Sequence, residues 1–204
     1  MKKPQALLGV LAPLVYLWAV ILGGLLQKDY SHVTQAISEL TTRNAPYKVL
    51  LDGLFTIYNF FIIFFGVLAF LSLKKFNLKS LMTSMILLSL TGVFGLLMGF
   101  FPMDKRGSEA TWQGILHIIL AGILSPTTLL VLLLSGLGFR RVKGLEGFAA
   151  YSLWSAFGLF ITGILAAFSA ANGFLLTGLL ERLTIGAFLQ WITALSLQFY
   201  RKFL

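Results

Sequence analysis

The sequence predicts an all-α membrane protein: a bundle of six transmembrane helices, with a short amphipathic outer helix between helices one and two. Of the 204 residues, 58% are hydrophobic and 11% are charged, so a soluble domain of this size could not bury its apolar surface. About 20 apolar residues in a helix cross a hydrocarbon core roughly 30 Å thick. Six stretches meet this requirement: 7–26, 49–73, 81–100, 114–137, 147–170 and 179–200. Their connections are too short for a soluble domain, so residues 1–204 are predicted to form one transmembrane domain.

Basic residues predict which way the helices cross the membrane. Six crossings put both termini on the same side as the second and fourth connections, and ten of the 16 lysines and arginines lie there: Lys2, Lys3, Lys74, Lys75, Lys79, Arg140, Arg141, Lys143, Arg201 and Lys202. Basic segments favour the cytoplasmic side, so both termini are predicted to be cytoplasmic in a multi-pass protein of the cell (plasma) membrane. These bases suit anionic headgroups, which makes membrane lipids the expected partners and leaves no need for a nucleic acid.

Helix one carries almost no polar side chain. Its run is as long as a full span and no small-residue cleavage site follows, so it is interpreted as a helix rather than a signal peptide. The next connection is the longest, and it repeats apolar residues at helical spacing: Val33, Ala36, Ile37 and Leu40. We therefore expect an amphipathic helix over 31–41, either as an interfacial anchor or as a lid that presents Ser38 and Glu39 to a cavity.

Helices two and three carry polar or small residues at depth. Asp52 lies about one turn into helix two, and Asn59 follows on the same face near mid-depth. A carboxylate inside a span costs about 2.5–3.5 kcal/mol on insertion scales, so Asp52 is predicted to face the bundle or water, in a structural or a ligand-binding role. In helix three, Gly95 and Gly99 have the spacing that lets helices approach closely. Packing within the bundle is favoured over a homodimer interface, which stays open.

The outer connection after helix three and the head of helix six complete the polar set. Pro102 ends helix three, Asp104 lies in the connection, and His117 is just over one turn inside helix four. Glu181 and Arg182 begin helix six. Because adjacent residues cannot point the same way on a helix, Glu181 is expected to bond to another helix or to a loop. Arg182, near the outer headgroup level, has the chemistry to clamp a phosphate or a carboxylate.

Acidic residues and histidines crowd the outer half of the protein. Only Glu146 lies on the inner side, whereas the outer half holds Asp29, Glu39, Asp52, Asp104, Glu109, Glu181, His32 and His117. Acidic residues contribute little to topology, so their distribution is separate information. It predicts that these side chains converge in one pocket that opens away from the cytoplasm.

Four short motifs in this order resemble one known family. They are Ser38-Glu39-Leu40, Phe101-Pro102-x-Asp104 (where x is any residue), a histidine early in helix four, and Glu181-Arg182 at the head of helix six. Together they resemble the bacterial and archaeal family named domain of unknown function 998, over essentially the whole chain. The resemblance implies a six-helix integral membrane protein with no established activity. It also singles out one set of residues: Ser38, Glu39, Asp104, His117, Glu181 and Arg182.

The first functional hypothesis is an intramembrane hydrolase that acts on a lipid or an amphiphilic ester. Ser38 (or Thr34) would be the nucleophile, His117 the base and Asp104 the acid that orients it. Arg182 would stabilise an oxyanion or hold a headgroup. The arrangement is similar in plan to the androgen-induced family of six-helix lipid hydrolases. The nucleophile is poorly determined, because the chain has no Gly-x-Ser-x-Gly elbow.

The second hypothesis is non-catalytic binding or transport of a lipid or small amphiphile in an outer cavity. The binding residues would then be Arg182, Glu181, Glu39, Asp52 and Asn59. The sequence has no convincing internal repeat of the kind that transporters often carry. A purely structural role would leave the gathering of ionisable groups unexplained.

Metal and cofactor chemistry are not predicted. The chain has no cysteine and only two histidines, without a His-Glu-x-x-His spacing. The membrane hydrolases that resemble adiponectin receptors and ceramidases need three histidines. Haem held by both histidines is also disfavoured, since His32 lies in a connection. The expectation is therefore no metal and no cofactor.

Overall fold

The computed structural model of the chain describes residues 3–203 and is built from helices. Six of the described helices are long and apolar enough to cross a membrane. They are α1 (Leu8–Leu26), α2 (Lys48–Leu73), α3 (Lys79–Phe100), α4 (Trp112–Phe139), α5 (Glu146–Ala171) and α6 (Thr177–Gln198). Each begins and ends within two residues of the stretch predicted for it. Lys2, one of the bases used to predict the orientation, lies outside the described residues.

Short helical segments complete the structure. A single turn, Lys3–Ala6, precedes α1, and a π-helical turn, Phe199–Phe203, follows α6. Two 3-10 helices lie in the connections, at Ile37–Thr41 and Lys74–Phe76. We call the end of the bundle with the α1–α2, α3–α4 and α5–α6 connections the outer end, after the predicted orientation, and the opposite end the basic end.

The six helices are arranged as a closed circuit. Each helix packs against the next one in the chain, and α6 returns to pack against α1. The α1–α6 contact is the least extensive of the six. Helices that are neighbours in sequence pack most extensively because short connections hold them side by side. The closing contact has no such connection, which leaves room between α1 and α6.

The main hydrophobic core occupies the half of the bundle toward the basic end. Its largest fully buried side chains include Phe65, Phe139 and Trp191. The indole Nε1 of Trp191 donates a hydrogen bond of 2.9 Å to the hydroxyl of Ser152, so this buried polar atom is satisfied. A second, smaller cluster lies at the outer end and consists of Val20, Ile37, Leu40 and Leu51. It anchors the 3-10 helix of the α1–α2 connection onto α1 and α2.

Glycines in α3 allow a close approach to α2. A Cβ atom at Gly95 would lie 2.2 Å from Oδ1 of Asn59, and one at Gly92 would lie 2.7 Å from the Asn59 carbonyl oxygen. Gly92 therefore requires glycine unless α2 moves, whereas a larger residue at Gly95 would have to displace the Asn59 side chain. Gly95 packs within the bundle, as expected from its spacing, whereas Gly99 has open space beside it.

The outer helix between α1 and α2 is shorter than the 31–41 that the periodicity predicts. Only Ile37–Thr41 is helical, as a 3-10 helix, and Ala36 before it is extended. The Tyr30 hydroxyl donates to the Ala36 carbonyl at 2.8 Å, and Arg182 donates to the Gln35 carbonyl at 2.9 Å. The Ala36 carbonyl also accepts the Glu39 N–H at 3.1 Å, which opens the 3-10 helix, and the extended backbone of Ala36 prevents the helix from starting earlier. Ile37 and Leu40 are buried, as the apolar stripe predicts.

Candidate functional site

His117 links the end of α3 to the start of α4. Its side chain is buried, and its Nδ1 atom lies 2.8 Å from the carbonyl oxygen of Phe101. A carbonyl oxygen can only accept a hydrogen bond, so Nδ1 is the protonated nitrogen. In the neutral ring, Nε2 is then the nitrogen that can accept a proton. His117 therefore has both a structural contact and a nitrogen suited to a base.

Asp104 organises the first turn of α4. One carboxylate oxygen accepts a hydrogen bond from the Thr111 backbone N–H and the other from the Thr111 hydroxyl, each at 2.8 Å. Thr111 in turn accepts from the Gly114 N–H at 3.2 Å and caps the helix. The Thr111 backbone N–H, followed by the Thr111 hydroxyl, holds the pKa of Asp104 below its usual value, and the charge of Arg43 acts in the same direction. Asp104 is thus bonded to the helix cap.

Ser38 and Glu39 connect the α1–α2 connection to the α3–α4 connection. The Ser38 hydroxyl donates to Sδ of Met103 at 3.1 Å. Oε1 of Glu39 pairs with Nη2 of Arg106 at 3.1 Å and also accepts the Ala36 N–H at 3.0 Å. These contacts hold the 3-10 helix against the loop that contains Asp104.

The three residues assigned to catalysis therefore each have a different partner. Ser38 bonds to Met103, His117 to Phe101 and Asp104 to Thr111. The structure brings the segments that carry Ser38 and Asp104 into contact, since Met103 precedes Asp104 in the chain. A relay from Asp104 through His117 to Ser38 would require these hydrogen bonds to rearrange. The catalytic assignment stays a prediction.

Arg182 holds the α1–α2 connection onto the head of α6. Its Nη1 atom donates to the carbonyls of Gln35 and Gly178, both at 2.9 Å, and Nη2 donates to the Tyr30 hydroxyl. The guanidinium also lies 5.5 Å from the centre of the Tyr30 ring. Burial is the main cause that raises the pKa of Tyr30 to about 12, so its hydroxyl remains protonated at neutral pH.

Glu181 supplies the second attachment. Its Oε2 atom accepts the N–H of Ile37 at 2.7 Å, at the start of the 3-10 helix. This confirms the expectation that Glu181 bonds to a loop. The backbone of the α1–α2 connection also approaches α6 closely at Gly178. A Cβ atom added there would lie 2.2 Å from the Gln35 carbonyl oxygen. The α1–α2 connection is thus a roof fixed to the first turns of α6.

The remaining two predicted binding residues lie in α2. Asp52 forms an ion pair with Lys48 one turn earlier in the same helix. Asn59 is buried, with its carboxamide facing Gly95 of α3. Both have structural partners, and their assignment to ligand binding stays a prediction.

A groove of about 320 Å³ lies between the outer halves of α1 and α6. Its apolar walls come from both helices: Leu17, Val20, Ile21, Ile185 and Leu189. His32 and Arg182 line its outer part, beneath the roof. Because Leu17 and Ile21 are 47% and 50% exposed, the groove opens sideways, toward the space that lipid would fill. Arg182 is the one residue of the predicted set that lines it.

Several residues of the outer end are not singled out by the sequence. Thr111 directly precedes the apolar run of α4, which is a usable helix-capping signal. Tyr30, Met103 and Arg106 have no comparable signal, because their partners are distant in the chain. The sequence carries no signal for the groove either, since its two walls come from opposite ends of the chain.

Comparisons with known proteins agree with the architecture. No curated protein and no solved structure matches the chain. A family model described as a protein of unknown function (DUF998) matches residues 10–198, which include all six transmembrane helices in whole or in large part. Because the match spans nearly the whole sequence, the chain belongs to the DUF998 family, a group of six-helix, membrane-type proteins of unknown function.

Proposed function

We propose that this protein binds a single-chain amphiphile in the groove between α1 and α6, without a chemical step. The observation that carries the proposal is the groove itself, which is apolar along most of its walls and has its charged group, Arg182, beneath the roof, with Tyr16 as a further polar side chain. Sites for small ligands are commonly of this kind, with a few polar groups that fix the orientation of an otherwise apolar ligand. An amphiphile has the matching distribution of polar and apolar groups.

The position of the groove supports entry from the membrane. It lies at the least extensive helix–helix contact of the bundle, and its walls include half-exposed leucine and isoleucine side chains. A hydrocarbon chain could therefore enter sideways without crossing the headgroup layer. With both termini in the cytoplasm of a plasma-membrane protein, as the basic residues predict, the groove would open to the outer leaflet.

Gly186 provides a direct test of the groove. It lines the groove, and a Cβ atom added there would meet nothing within 4 Å. Gly186→Leu should therefore fill the space without straining the protein, and its leucine is also the better helix former. We expect the variant to lose most of the covalent capture of a photoactivatable monoacylglycerol by detergent-purified protein, with the remaining label shifted away from α1 and α6.

Gly158→Leu is the matched control. Gly158 also lies in a transmembrane helix with nothing within 4 Å of an added Cβ, but it is in α5, outside the groove. The Gly158→Leu variant should capture the probe as the unchanged protein does. Equal capture by the Gly186 and Gly158 variants, or failure of the unchanged protein to capture any single-chain amphiphile, would refute the proposal.

Hydrolysis of an amphiphilic ester is the second candidate. The observation that favours it is the contact between Nδ1 of His117 and the Phe101 carbonyl, which leaves Nε2 as the basic nitrogen. The same monoacylglycerol reports this activity, since cleavage would release a fatty acid. Fatty-acid release by the unchanged protein that is lost in His117→Gln would favour the hydrolase. If the unchanged protein releases no fatty acid, the hydrolase candidate is refuted.

A further inference from the structure

Arg182 carries a positive charge that has no acidic hydrogen-bond partner. Its two Nη atoms donate to the Gln35 and Gly178 carbonyls and to the Tyr30 hydroxyl, all of which are neutral. The ion pairs found among the described residues, Lys48 with Asp52 and Glu39 with Arg106, do not include it. A guanidinium stays protonated throughout the accessible pH range. A full positive charge therefore lies at the outer part of the groove.

The Nε atom of Arg182 is also unsatisfied. Among the buried side-chain nitrogen and oxygen atoms of the described residues, it is the one without a hydrogen-bond partner. Buried donors are nearly always paired, so an exception calls for an explanation. Protein atoms cover Nε itself, and Arg182 lines the groove, so a bound ligand would supply the missing acceptor after a small movement of this side chain.

The neighbouring acid does not fill this role. The Glu181 side chain leaves α6 in a different direction from that of Arg182 and accepts the N–H of Ile37 at 2.7 Å. It does not line the groove, whereas His32 does. The His32 ring packs edge-on against Tyr30, with its Nε2 atom close to Gly24 of α1. The polar side chains that line the groove are thus the guanidinium of Arg182, the imidazole of His32 and the phenol of Tyr16, and none of them is a carboxylate.

We infer that the amphiphile has an anionic head, a carboxylate or a phosphate monoester, which accepts a hydrogen bond from Nε of Arg182. This inference rests on the proposed function, since it names the class of amphiphile that the groove takes. Hydrogen bonds between ionised groups are shorter and stronger than neutral ones, and they are stronger still where water is excluded. A neutral head could accept the same N–H, but it would form the weaker of the two hydrogen bonds.

Two pairs of photoactivatable probes test the charge of the head while keeping the chain constant. Palmitic acid is compared with palmityl alcohol at alkaline pH, and lysophosphatidic acid with monoacylglycerol. In competition with the detergent-purified protein, we expect the charged member of at least one pair to bind about tenfold more tightly or better. The first pair reports a carboxylate and the second a phosphate, so the larger difference identifies the head.

The outcomes separate this inference from the proposed function. Capture of none of the four probes would refute binding in the groove altogether. Equal capture of the charged and neutral members of both pairs, at the groove, would overturn the anionic head and leave the groove proposal standing. This comparison uses the unchanged protein, so it does not depend on any variant folding.

Two variants test whether the preference for a charged head comes from the Arg182 side chain. Arg182→Gln should abolish the charge preference, and Tyr30→Phe is its control. Tyr30→Phe also removes a contact between Arg182 and the roof, but it leaves Nε in place. The preference should survive in it. Its loss in Tyr30→Phe as well would assign the preference to the roof rather than to Nε and would overturn the inference.

Discussion

Asp104 shows how one charged side chain can define the start of a transmembrane helix. The first N–H groups of a helix have no partner within it, and the positive end of the helix dipole favours a nearby anion. Asp104 satisfies the Thr111 N–H directly, and its second oxygen orients the Thr111 hydroxyl that caps Gly114. The carboxylate thus stabilises the start of α4 through Thr111, which it contacts, and through Gly114, which Thr111 caps. The sequence identifies Asp104 as important but associates it with His117 instead.

The acid dependence of stability should report this cap. The folded-state pKa of Asp104 lies below its usual 3.8, so the ionised carboxylate stabilises the fold above that pH and stops doing so as pH falls through the folded pKa. Asp104→Asn should lower the unfolding temperature in detergent by a few degrees at neutral pH and weaken the further loss on acidification. Glu109→Gln, an exposed acid of the same loop, should do neither. Identical acid profiles for both variants would contradict this role.

The roof over the groove is held by hydrogen bonds to its backbone more than by an ion pair. The α1–α2 connection is attached to α6 by the Glu181–Ile37 and Arg182–Gln35 hydrogen bonds and by a backbone bond of 2.9 Å from Leu179 to Val33. The Glu39–Arg106 pair adds a link to the next loop, although solvent screens it on the side of the half-exposed Arg106. The attachment to α6 is therefore the part that positions the roof.

Gly178 and Gly24 provide a matched comparison at this scale. An added Cβ at Gly178 would meet the backbone carbonyls of Gln35 and His32, at 2.2 and 2.8 Å, whereas at Gly24 it would meet only the His32 ring, at 2.1 Å. A side chain can rotate away and a backbone cannot. We expect Gly178→Ala to lower the free energy of unfolding by about 1–3 kcal/mol and to expose the α1–α2 connection to protease.

Gly24→Ala should cost clearly less, because the exposed His32 side chain can rotate away and alanine favours the helix. Chemical unfolding in detergent and protease digestion of the two variants side by side would measure the difference. Equal stability of the two, or a more severe effect at Gly24, would show that the roof is not held by backbone contact at α6.

At the scale of the whole molecule, the two ends of the bundle differ in charge and in packing. The main core fills the half toward the basic end, whereas the outer end has a small core, the roof and the groove. A well-packed half and a looser half in one bundle suit a protein that admits a ligand from one side only. Which end faces the cytoplasm is predicted from the basic residues.

The absence of cysteine makes that orientation easy to measure. Arg43→Cys and Lys143→Cys each place one thiol at an exposed position, the first at the outer end and the second at the basic end. A membrane-impermeant maleimide should label the Arg43 variant in intact cells and the Lys143 variant only after permeabilisation. The reverse pattern would invert the topology and move the groove to the inner leaflet.

The sequence by itself determined the helices. In lipid, every backbone N–H and C=O must be bonded internally, so each long apolar run has to form a helix, whatever its neighbours do. For that reason α1 to α6 could be predicted to within two residues. A bond from Glu181 to another helix or to a loop was also predicted, and the structure shows that its partner is the backbone of Ile37.

Only the tertiary structure decided how the polar residues are grouped. His117, Asp104 and Arg182 contact, respectively, the backbone of Phe101, Thr111 and Gln35. Backbone N–H and C=O groups occur at almost every position, so sequence carries no signal for which of them a side chain will find. The groove likewise exists only because α1 and α6, from opposite ends of the chain, close the circuit of helices without a connection to draw them together.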